Sequence, residues 1–526
     1  MSTSSSPDKP PVAADDTSHV EARRGTYADS VTLMQVSARA QAVPGARTVL
    51  VAMATDLNLG LLDGFGMRRP AGVSQHDLLV AVRAEDAAAL RAVLAVVDDA
   101  LVQGTRRAWP GGAAAVAAPA VPMTTASAIG RSGPAIALVS VPGAFALAEA
   151  MDALDAGCDV MIFSDNVPVA HEIALKEAAA RRGLLVMGPD CGTAIVAGVG
   201  LGFANAVRPG PISLVAASGT GAQQVSCLLD LAGAGCGAVL GVGGRDLSAQ
   251  VGGRSARAAL AALDEDQATE LIVLVSKPAD QAVAAGVRSF AAGLATPVQF
   301  ALTGPGQPDL TEACEAALRA AGMPVPAWPA WHPAASEGVA MTVPARTGGL
   351  RGLFAGGTLC DEAMVIAAAR LGDIYSNVPL APELRVDALD PLLPVDHRAP
   401  TARHVMIDFG SDELTAGRPH PMIDQRLRLD RLAAEADDPA TSVIMLDVVL
   451  GHGAHQDPAA ELAPAISKAV TSRPALTVIA SVIGTEADPQ GLLAQVTALT
   501  EAGSHAFASN AQAARFACEV IEAAES

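Results

Sequence analysis

Several features that mark common protein classes are scarce in this chain. Aromatic residues make up 3% of the 526 residues, and no apolar run approaches the roughly 20 residues that a membrane span needs. The seven cysteines are odd in number and form no close CxxC pair, which argues against a disulfide framework and against a zinc site. The composition therefore predicts a soluble protein with free thiols and no metal centre.

Positive charge is also in deficit, because 35 Lys and Arg residues face 55 Asp and Glu residues, which gives a net charge of -20. This balance argues against nucleic acid and anionic membranes as partners, but it does not oppose a locally positive pocket. Residues 1–28 are polar and Pro-rich and lack the apolar core of a secretory signal. We expect a disordered tail there and a cytoplasmic protein.

What the chain contains twice is an apolar strand followed by a turn of small residues and a helix. The copies span residues 212–233 and 350–372, aligned so that Ser218-Gly219-Thr220-Gly221 in the first corresponds to a turn with Gly356-Gly357-Thr358 in the second. The first N–H groups of a helix lack partners within it and carry the positive end of its dipole, so phosphate or a carboxylate fits there. One such turn is a weak signal, but two at equivalent places indicate duplicated domains that jointly hold one anionic group.

A chain of this length predicts several domains. The pattern of strands, helices and Ala/Pro/Gly-rich stretches assigns a tail at 1–28, a small α+β domain at 29–102, a linker at 103–128, a Rossmann-like domain at 129–205, the first repeat at 206–325, a linker at 326–348 and the second repeat at 349–526. In the α+β domain we predict strands at SVTLMQV, TVLVAMA and DLLVAVRA. In the second repeat, residues 374–403 with the sequence SNVPL form an insertion long enough to be a functional loop.

The fold class predicted from these patterns is α/β. Residues 129–205 follow a strand–helix–strand–helix–strand order with continuously apolar strands, which is typical of a parallel sheet covered on both faces. Ligands of such sheets bind at the carboxyl ends of the strands, where the loops VPG, SDN and GPDCGT lie. The GxGxxG pattern does not occur between the first strand and its helix, so we do not expect a nicotinamide cofactor.

A Gly-rich turn in the second repeat, Gly451-His452-Gly453-Ala454-His455, follows an apolar strand. Its glycines allow a tight turn and leave an imidazole accessible, which suits nucleophilic or acid–base work by His452 and His455 on an acyl or phosphoryl group. The alternative is that both histidines only cap the helix that begins at Asp457-Pro458. Two histidines without a visible third ligand do not predict a metal site.

Further candidates follow other predicted strands. Cys191 is a candidate nucleophile, with a non-catalytic turn as the alternative. Candidates for contacting a substrate acid are Asp190, Gly192, Thr193, Gly243, Gly244, Arg245, Arg418 and His420. For Arg245, Arg418 and His420 the alternative is a solvated loop ion pair, whereas the residues around Cys191 are predicted to offer a backbone cradle. Asp361 and Glu362 are expected to stabilise the start of the second helix electrostatically rather than to take part in chemistry.

Longer stretches carry a family resemblance. VPGAFALAEAMDALDAGCDVMIFSDNVPVAHEI, LLVMGPDCGTAI, ISLVAASGTGAQQV and LGVGGRD resemble the α subunit of succinyl-CoA synthetase. MGPDCGTA, SNVPL, GRPHPMID and DVVLGHGAH are more closely similar to the FdrA family of synthetase-like proteins, over nearly the whole chain from residue 29. The resemblance implies a Rossmann-like domain of the CoA-binding type followed by two flavodoxin-like domains of the succinyl-CoA-synthetase type. It also implies that Ser218 to Thr220 hold a phosphate.

The chain departs from the synthetase at two places. The synthetase opens its CoA-binding domain with a Gly-rich phosphate loop and carries a phosphorylated histidine on its first ligase domain, and neither has a match here. No cofactor is therefore assigned, phosphate is expected as a substrate, and CoA remains an alternative.

The FdrA resemblance implies the synthetase-like subunit of a carbamoyltransferase of allantoin (purine) degradation, in which oxalurate and phosphate give oxamate and carbamoyl phosphate. It also implies partner subunits of unknown-function families, in a homo- or hetero-oligomer. Two other functions stay open: an acyl-CoA ligase with a separate nucleotide-binding subunit, and a non-catalytic scaffold subunit.

Overall fold

The computed structural model describes residues 17–24, 26, 30–75, 77–107, 122–133, 135–334, 348–386, 404–415 and 418–525. They fall into two compact units, Met1–Pro119 and Ala120–Ser526. The strands and helices of the first unit are β1 (Thr17–Arg23), α1 (Ser30–Gln41), β2 (Ala46–Met53), α2 (Asp56–Gly64), β3 (Leu78–Ala84) and α3 (Ala87–Arg107).

The first unit is built on an antiparallel sheet with the strand order β1-β3-β2. Alternate residues of a strand point to opposite faces of its sheet. In β3, accordingly, Leu78, Val80 and Val82 pack with α1 and α3, whereas Leu79 and Ala81 pack with α2. The central strand is thus buried on both faces, and the predicted α+β class is confirmed.

Two expectations for the first unit are wrong. SVTLMQV is not a strand but the start of helix α1, because Leu33, Val36 and Ala40 are buried at helical spacing. Strand β1 lies within the predicted tail, where pairing with β3 compensates for its low hydrophobicity. The rest of that tail, residues 1–16, lies outside the described residues.

The second unit begins with α4 (Thr125–Ser132), β4 (Ile136–Val139), α5 (Gly143–Asp155), β5 (Asp159–Ile162), α6 (Val169–Arg182), β6 (Val186–Met187), β7 (Thr193–Val196) and β8 (Val199–Gly202). Strands β4, β5 and β6 form the predicted parallel, Rossmann-like sheet. Strands β7 and β8 form a hairpin that joins the sheet of the first repeat instead. The chain leaves the Rossmann-like sheet at Gly188 and Asp190, which have φ values of 100° and 57°.

The first repeat consists of β9 (Ile212–Ala217), α7 (Gly219–Leu231), β10 (Val239–Gly241), α8 (Arg254–Asp264), β11 (Leu271–Ser276), α9 (Gln281–Ala291), β12 (Val298–Leu302) and α10 (Leu310–Ala320). The second consists of β13 (Ala330–Trp331), β14 (Gly349–Phe354), α11 (Gly357–Leu371), β15 (Ile374–Ser376), β16 (His404–Asp408), α12 (Asp412–Thr415), α13 (Arg426–Asp437), β17 (Thr441–Val449), α14 (Pro458–Ser472), β18 (Thr477–Ile483), α15 (Leu492–Glu501), β19 (His505–Phe507) and α16 (Asn510–Glu525).

The two repeats share one strand order. The parallel strands β12-β11-β9-β10 of the first correspond to β18-β17-β14-β16 of the second, as the aligned sequences predict. The second sheet is longer, because β15 extends one edge and β19 with β13 extends the other.

Several of these elements lie where the sequence predicts linkers or a loop. Strand β15 starts the predicted insertion, β13 lies in the second predicted linker, and α3 and α4 reach into the first. Among the residues that the structure describes, no helix is long and apolar enough to cross a membrane.

Candidate functional site

The two predicted anion turns lie against each other. The Ser218 and Thr358 hydroxyls are hydrogen-bonded at 2.6 Å, although 140 residues separate them. A Cβ atom at Gly356 would lie 2.8 Å from Thr220 Cγ2, so glycine is needed for this approach. The start of α7 therefore faces the start of α11, and the positive ends of two helix dipoles act on the same place.

The hydroxyls of the joined turns are buried, whereas the first residue of each helix is accessible. Ser218 caps α7 by accepting a hydrogen bond from the Gly221 amide at 2.9 Å. Gly219 is exposed and Gly357 is half-buried. Because the first amides of a helix have no partner within it, this arrangement offers N–H donors to an anion from both helices.

Part of the second turn is occupied by an internal carboxylate. The oxygens of Asp447, a buried residue of β17, accept hydrogen bonds from the amides of Ala355 and Gly356, both at 2.7 Å. Arg428 donates to Asp447 Oδ1 at 3.0 Å and balances its charge. The strand end before α11 is thereby fixed, and an external anion is left with the amides from Gly357 onwards.

Two charged groups that the sequence analysis missed flank Gly357. A Cβ atom there would lie 2.7 Å from both Lys277 Nζ and Asp408 Oδ2. Lys277 follows β11 and lies 3.7 Å from Asp361 Oδ2, and Asp408 ends β16. Both residues stand at the carboxyl ends of parallel strands in repeats that are aligned with each other, and this position is the signal that could have identified them.

The environment shifts the pKa values of these groups. Burial raises the pKa of Asp408 to about 7, and the nearby Lys277 ammonium only partly offsets this. Burial lowers the pKa of Lys277, but the carboxylates of Asp361 and Asp408 outweigh it and raise the value above the ordinary one. Near neutral pH, Lys277 is thus cationic while Asp408 is close to its midpoint.

The loop GPDCGT lies beside the first turn. The Thr193 hydroxyl donates to Phe203 O at 3.0 Å and would lie 3.5 Å from a Cβ atom at Gly219. Gly243 has a φ of 87°, and a Cβ atom there would lie 2.4 Å from Pro189 O, which requires glycine. A Cβ atom at Gly192 would meet only Phe203, at 3.7 Å. This loop and the GVGG loop are therefore packed together, as ligand-binding loops of one sheet edge are.

A pocket opens next to this loop at the carboxyl ends of β5, β6 and β10. It is lined by Asp165, Asn166, Pro189, Asp190, Gly244, Arg245 and Asp412. Asp190 reaches solvent, yet protein surrounds its carboxylate on most sides; burial, together with Asp412 and Asp165, raises its pKa to about 7. Arg245 donates to Glu172 Oε2 at 3.1 Å and to Val167 O at 2.8 Å.

Cys191 lies in the core below this pocket. Its thiol is 2% exposed and contacts Thr193 O at 3.6 Å, and burial raises its pKa to about 12. A protonated, enclosed thiol is a poor nucleophile. The geometry favours the non-catalytic alternative, while the catalytic prediction stays untested.

The GHGAH turn is held rigidly. The Gln490 side chain accepts from Gly451 N and donates to Gly451 O, both at 3.0 Å, and His452 N donates to Ala204 O at 2.8 Å. The His452 side chain is exposed, beside Gly200 of the β7–β8 hairpin. It therefore remains an accessible candidate.

His455 makes local contacts instead. Its Nδ1 accepts a hydrogen bond from Asp457 N at 3.1 Å, and its Nε2 lies 3.4 Å from Glu461 Oε1. The hydrogen bond with Glu461 raises the pKa of His455. Asp457 caps α14, with Pro458 in its first turn. These contacts match the capping alternative.

The remaining two candidates, Arg418 and His420 of GRPHPMID, lie in different environments. His420 lies near Asp408, because a Cβ atom built on the neighbouring Gly410 would be 2.9 Å from His420 Nε2. Burial, together with the positive charge of Arg428, lowers the pKa of His420 to about 4. It is therefore neutral near pH 7, with Nδ1 accepting from Met422 N. Arg418 is exposed, and Gly417 lies outside the described residues.

The carboxylates of Asp361 and Glu362, which follow the second turn, do not contact the start of their own helix as predicted. Asp361 faces Lys277, and Glu362 accepts hydrogen bonds from Leu310 N and Asn510 Nδ2, both at 2.7 Å. Glu362 thus stabilises the start of α10 rather than that of its own helix.

The residues at the first strand–helix turn of the Rossmann-like sheet do not fit the phosphate of CoA. Gly143, the first residue of α5, is the one glycine at this turn, and a Cβ atom there would lie 2.3 Å from Asp165 O. Backbone therefore fills the space that an open Gly-rich loop would leave for a phosphate.

The chain is similar to proteins of the CoA-ligase group. Residues 353–520 match the family described as CoA-ligase, and residues 16–117 match the family described as AllF, heavy metal-associated domain. The Uncharacterized protein YahF of Escherichia coli (strain K12) is 38% identical over 501 residues, 91% of this chain and 93% of YahF. The ADP-forming succinate–CoA ligase subunit alpha 2 of Archaeoglobus fulgidus is 28% identical over 144 residues, 27% of this chain and 49% of that subunit.

One similar solved structure is the dinucleotide-forming acetyl-coenzyme A synthetase 1 of Ca. Korarchaeum cryptofilum in complex with phosphate and ADP. The match covers 74% of this chain and 82% of the synthetase chain, with 15% sequence identity and a TM-score of 0.27. The family and sequence matches confirm the synthetase-like resemblance, and the second repeat contains a CoA-ligase-type domain.

The donor set of the first unit does not fit a heavy-metal ion. Soft metals are bound by cysteine thiolates, and residues 16–117 contain no cysteine. In the described ranges of the whole chain, no group of three or more His, Cys, Asp or Glu residues could hold a metal ion.

Proposed function

This chain belongs to the FdrA family of synthetase-like proteins, and on that premise we propose that it moves a carbamoyl or other acyl group between a small acid amide, such as oxalurate, and phosphate. The proposal includes work in a complex with partner subunits, as the family resemblance implies.

The observation that carries the proposal is the junction of the two turns. The 2.6 Å hydrogen bond between Ser218 and Thr358 joins two helix N-termini, with accessible glycines on both sides and Lys277 next to Gly357. Acyl transfer to phosphate needs a site for the phosphate and a second site for the charge that develops on the attacked carbonyl oxygen. Two adjacent anion turns supply both.

In this mechanism the first turn, with Gly219 and Thr220, holds phosphate beside the Thr193 hydroxyl. The amides at Gly357 and Thr358 then stabilise the oxyanion of the attacked carbonyl, while the pocket at Asp190 and Arg245 receives the rest of the donor. Preorganised backbone donors of this kind lower the barrier because they need no reorientation as the charge develops.

The test is product analysis of the chain purified with its native partners and supplied with oxalurate and phosphate. We expect carbamoyl phosphate and oxamate from the wild-type complex, and a large loss with Ser218→Ala in a complex of unchanged composition. Full activity of that variant would contradict the proposal and would favour a scaffold whose chemistry lies in its partners.

A second candidate, an acyl-CoA synthetase, is favoured by the CoA-ligase match over residues 353–520. It requires a nucleotide-binding partner and a CoA site other than the closed turn at Gly143. A parallel reaction with an acid, CoA and ATP distinguishes the two: a thioester product would support the synthetase and overturn carbamoyl transfer.

A further inference from the structure

The charged pair at the second turn has a geometry that suits proton transfer. Asp408 is 3% exposed, its Oδ1 accepts a hydrogen bond from Gly410 N at 2.8 Å, and its Oδ2 is the oxygen that faces Gly357. One carboxyl oxygen is thereby fixed, while the other is directed at the place where amides and the Lys277 ammonium converge.

The backbone of Asp408 is held in place by a residue that follows the neighbouring strand β15. The Asn377 side chain accepts from Asp408 N and donates to Asp408 O, both at 2.9 Å, and it also donates to Ser411 Oγ at 3.0 Å. Asn377 belongs to the SNVPL sequence after β15. Its contacts make it a positioning residue for Asp408.

We propose that Lys277 and Asp408 act as a catalytic pair: the ammonium stabilises the carbonyl oxyanion, and the carboxyl gives its proton to the leaving nitrogen of the acyl donor. This inference rests on the proposed function and adds to it a general acid and a cation that the anion turns alone do not supply.

The step balances without any further reactant. An oxygen of hydrogen phosphate forms a bond to the carbonyl carbon, and the carbon–nitrogen bond breaks with its electron pair left on nitrogen. That nitrogen takes the proton of Asp408, and the resulting carboxylate regains a proton from the phosphate hydroxyl. The products are an acyl phosphate and the free amide, and nothing is oxidised or reduced.

The environment of Asp408 is consistent with this role. Lys277, Asp361 and Asp447 are the charged groups around its carboxyl, and burial raises its pKa to about 7. The other titratable neighbours stay uncharged near pH 7, because burial lowers the pKa of His420 to about 4 and raises that of the Cys360 thiol well above its ordinary value. A general acid works best when its pKa lies near the working pH. As pH rises through about 7, Asp408 loses its proton, so kcat of the wild-type complex should fall there, and this limb should be absent in Asp408→Asn.

The decisive experiment uses the complex with its partner subunits and two donors. Oxalurate loses an amide nitrogen, which would depart as a strongly basic anion unless it is protonated. In contrast, 4-nitrophenyl carbamate loses 4-nitrophenolate, a weakly basic anion that needs no proton. We expect Asp408→Asn, which keeps an acceptor for Gly410 N, to lower kcat about 10²- to 10⁴-fold with oxalurate and less than about 10-fold with the ester. Lys277→Met should slow both reactions, because both form an oxyanion.

The exposed Asp437 of the same repeat provides the matched control, and Asp437→Asn should leave both rates unchanged. Equal losses of Asp408→Asn with both donors, or no loss with either, would overturn the inference while the proposed function stands. A wild-type complex that forms no acyl phosphate from either donor would overturn the proposed function, and this inference with it.

Discussion

The hydroxyl pair of Ser218 and Thr358 is the smallest feature on which the anion site depends. Ser218 Oγ accepts from Gly221 N and shares a hydrogen bond with Thr358 Oγ1, and both side chains are buried. A buried hydroxyl that loses its partner pays a desolvation penalty, so removing one member loosens the contact between the two turns.

Thr358→Val is therefore expected to weaken binding of inorganic phosphate about 2- to 12-fold, which corresponds to the roughly 0.5–1.5 kcal/mol of one hydrogen bond. Thr358→Ser keeps the hydroxyl and serves as the control, with affinity near the wild-type value. Isothermal titration of the complex with phosphate measures the difference. Wild-type affinity in the valine variant would show that the hydroxyl bridge does not support the site.

A buried charge cluster nearby is expected to matter for stability. Lys176 Nζ contacts Glu172 at 2.8 Å, Asp246 at 2.7 Å and Val242 O at 3.0 Å, and these side chains are at most 1% exposed. The cluster links α6 to the loop after β10, so it holds the Rossmann-like sheet against the first repeat.

Lys176→Met leaves the buried Asp246 carboxylate without a cation and Glu172 with Arg245 alone, and it should lower the free energy of unfolding by about 3–5 kcal/mol. The control is Arg182→Met, whose ion pair with Asp155 lies at the surface and should cost less than about 1 kcal/mol. Denaturant unfolding of both variants gives the comparison. A loss of similar size in the two would contradict the importance of burial.

At the scale of strands and helices, the sequence predicted what depends on local pattern. Apolar strands of the two repeats could be aligned, and their shared order follows, because both copies have the same succession of strands and helices. The start of helix α1 was predicted as a strand, since apolar residues interspersed with polar ones over only seven residues fit either period. Residues 193–202, which the domain prediction includes in the Rossmann-like domain, form the β7–β8 hairpin of the other sheet, because pairing with β10 is decided by contacts distant along the chain.

The same division applies to the candidate site. Small residues at strand ends identified both turns, since those residues are needed locally. Lys277, directly after β11, and Asp408, the last residue of β16, were missed because neither belongs to a recognisable motif, and their proximity follows only from the way the two repeats pack together. Asn377 was included in the SNVPL motif without a role, and its contacts with Asp408 supply one.

Glu362 connects two helices and makes their contact dependent on pH. It accepts from Leu310 N at the start of α10 and from Asn510 at the start of α16, and burial raises its pKa from 4.5 to about 7, with Asp309 adding to the effect. The folded state therefore keeps a proton that the unfolded chain releases near its ordinary pKa. Stability due to this group falls as pH rises from about 4.5 to about 7.

Glu362→Gln should flatten the dependence of unfolding free energy on pH over that range, where one such group contributes up to about 1.4 kcal/mol per pH unit. Glu501→Gln at the surface is the control and should keep the wild-type slope. The slope is obtained from the free energy of unfolding measured at pH 5, 6 and 7. Parallel slopes in wild type and Glu362→Gln would show that Glu362 titrates alike in both states.

At the scale of the whole molecule, the two units differ in the ligands that their residues can bind. The second unit holds the joined turns, whereas the first has no cysteine within residues 16–117, in spite of its match to a heavy metal-associated family. Its three-stranded sheet is stabilised by apolar packing on both faces of β3 instead. The first unit thus matches that family without containing thiolates that could bind soft metals.

We expect that Zn²⁺ or Cu⁺, added in stoichiometric amounts to the full chain, leaves its thermal unfolding unchanged, while phosphate stabilises it. A ligand that binds the folded state alone adds RT ln(1 + [L]/Kd), about 2.7 kcal/mol at a hundredfold excess over Kd. Calorimetry with each ligand, alongside metal analysis after dialysis, tests this. A metal ion retained by the full chain, and equally by a variant without the seven cysteines of the second unit, would contradict this prediction and would require donors other than cysteine.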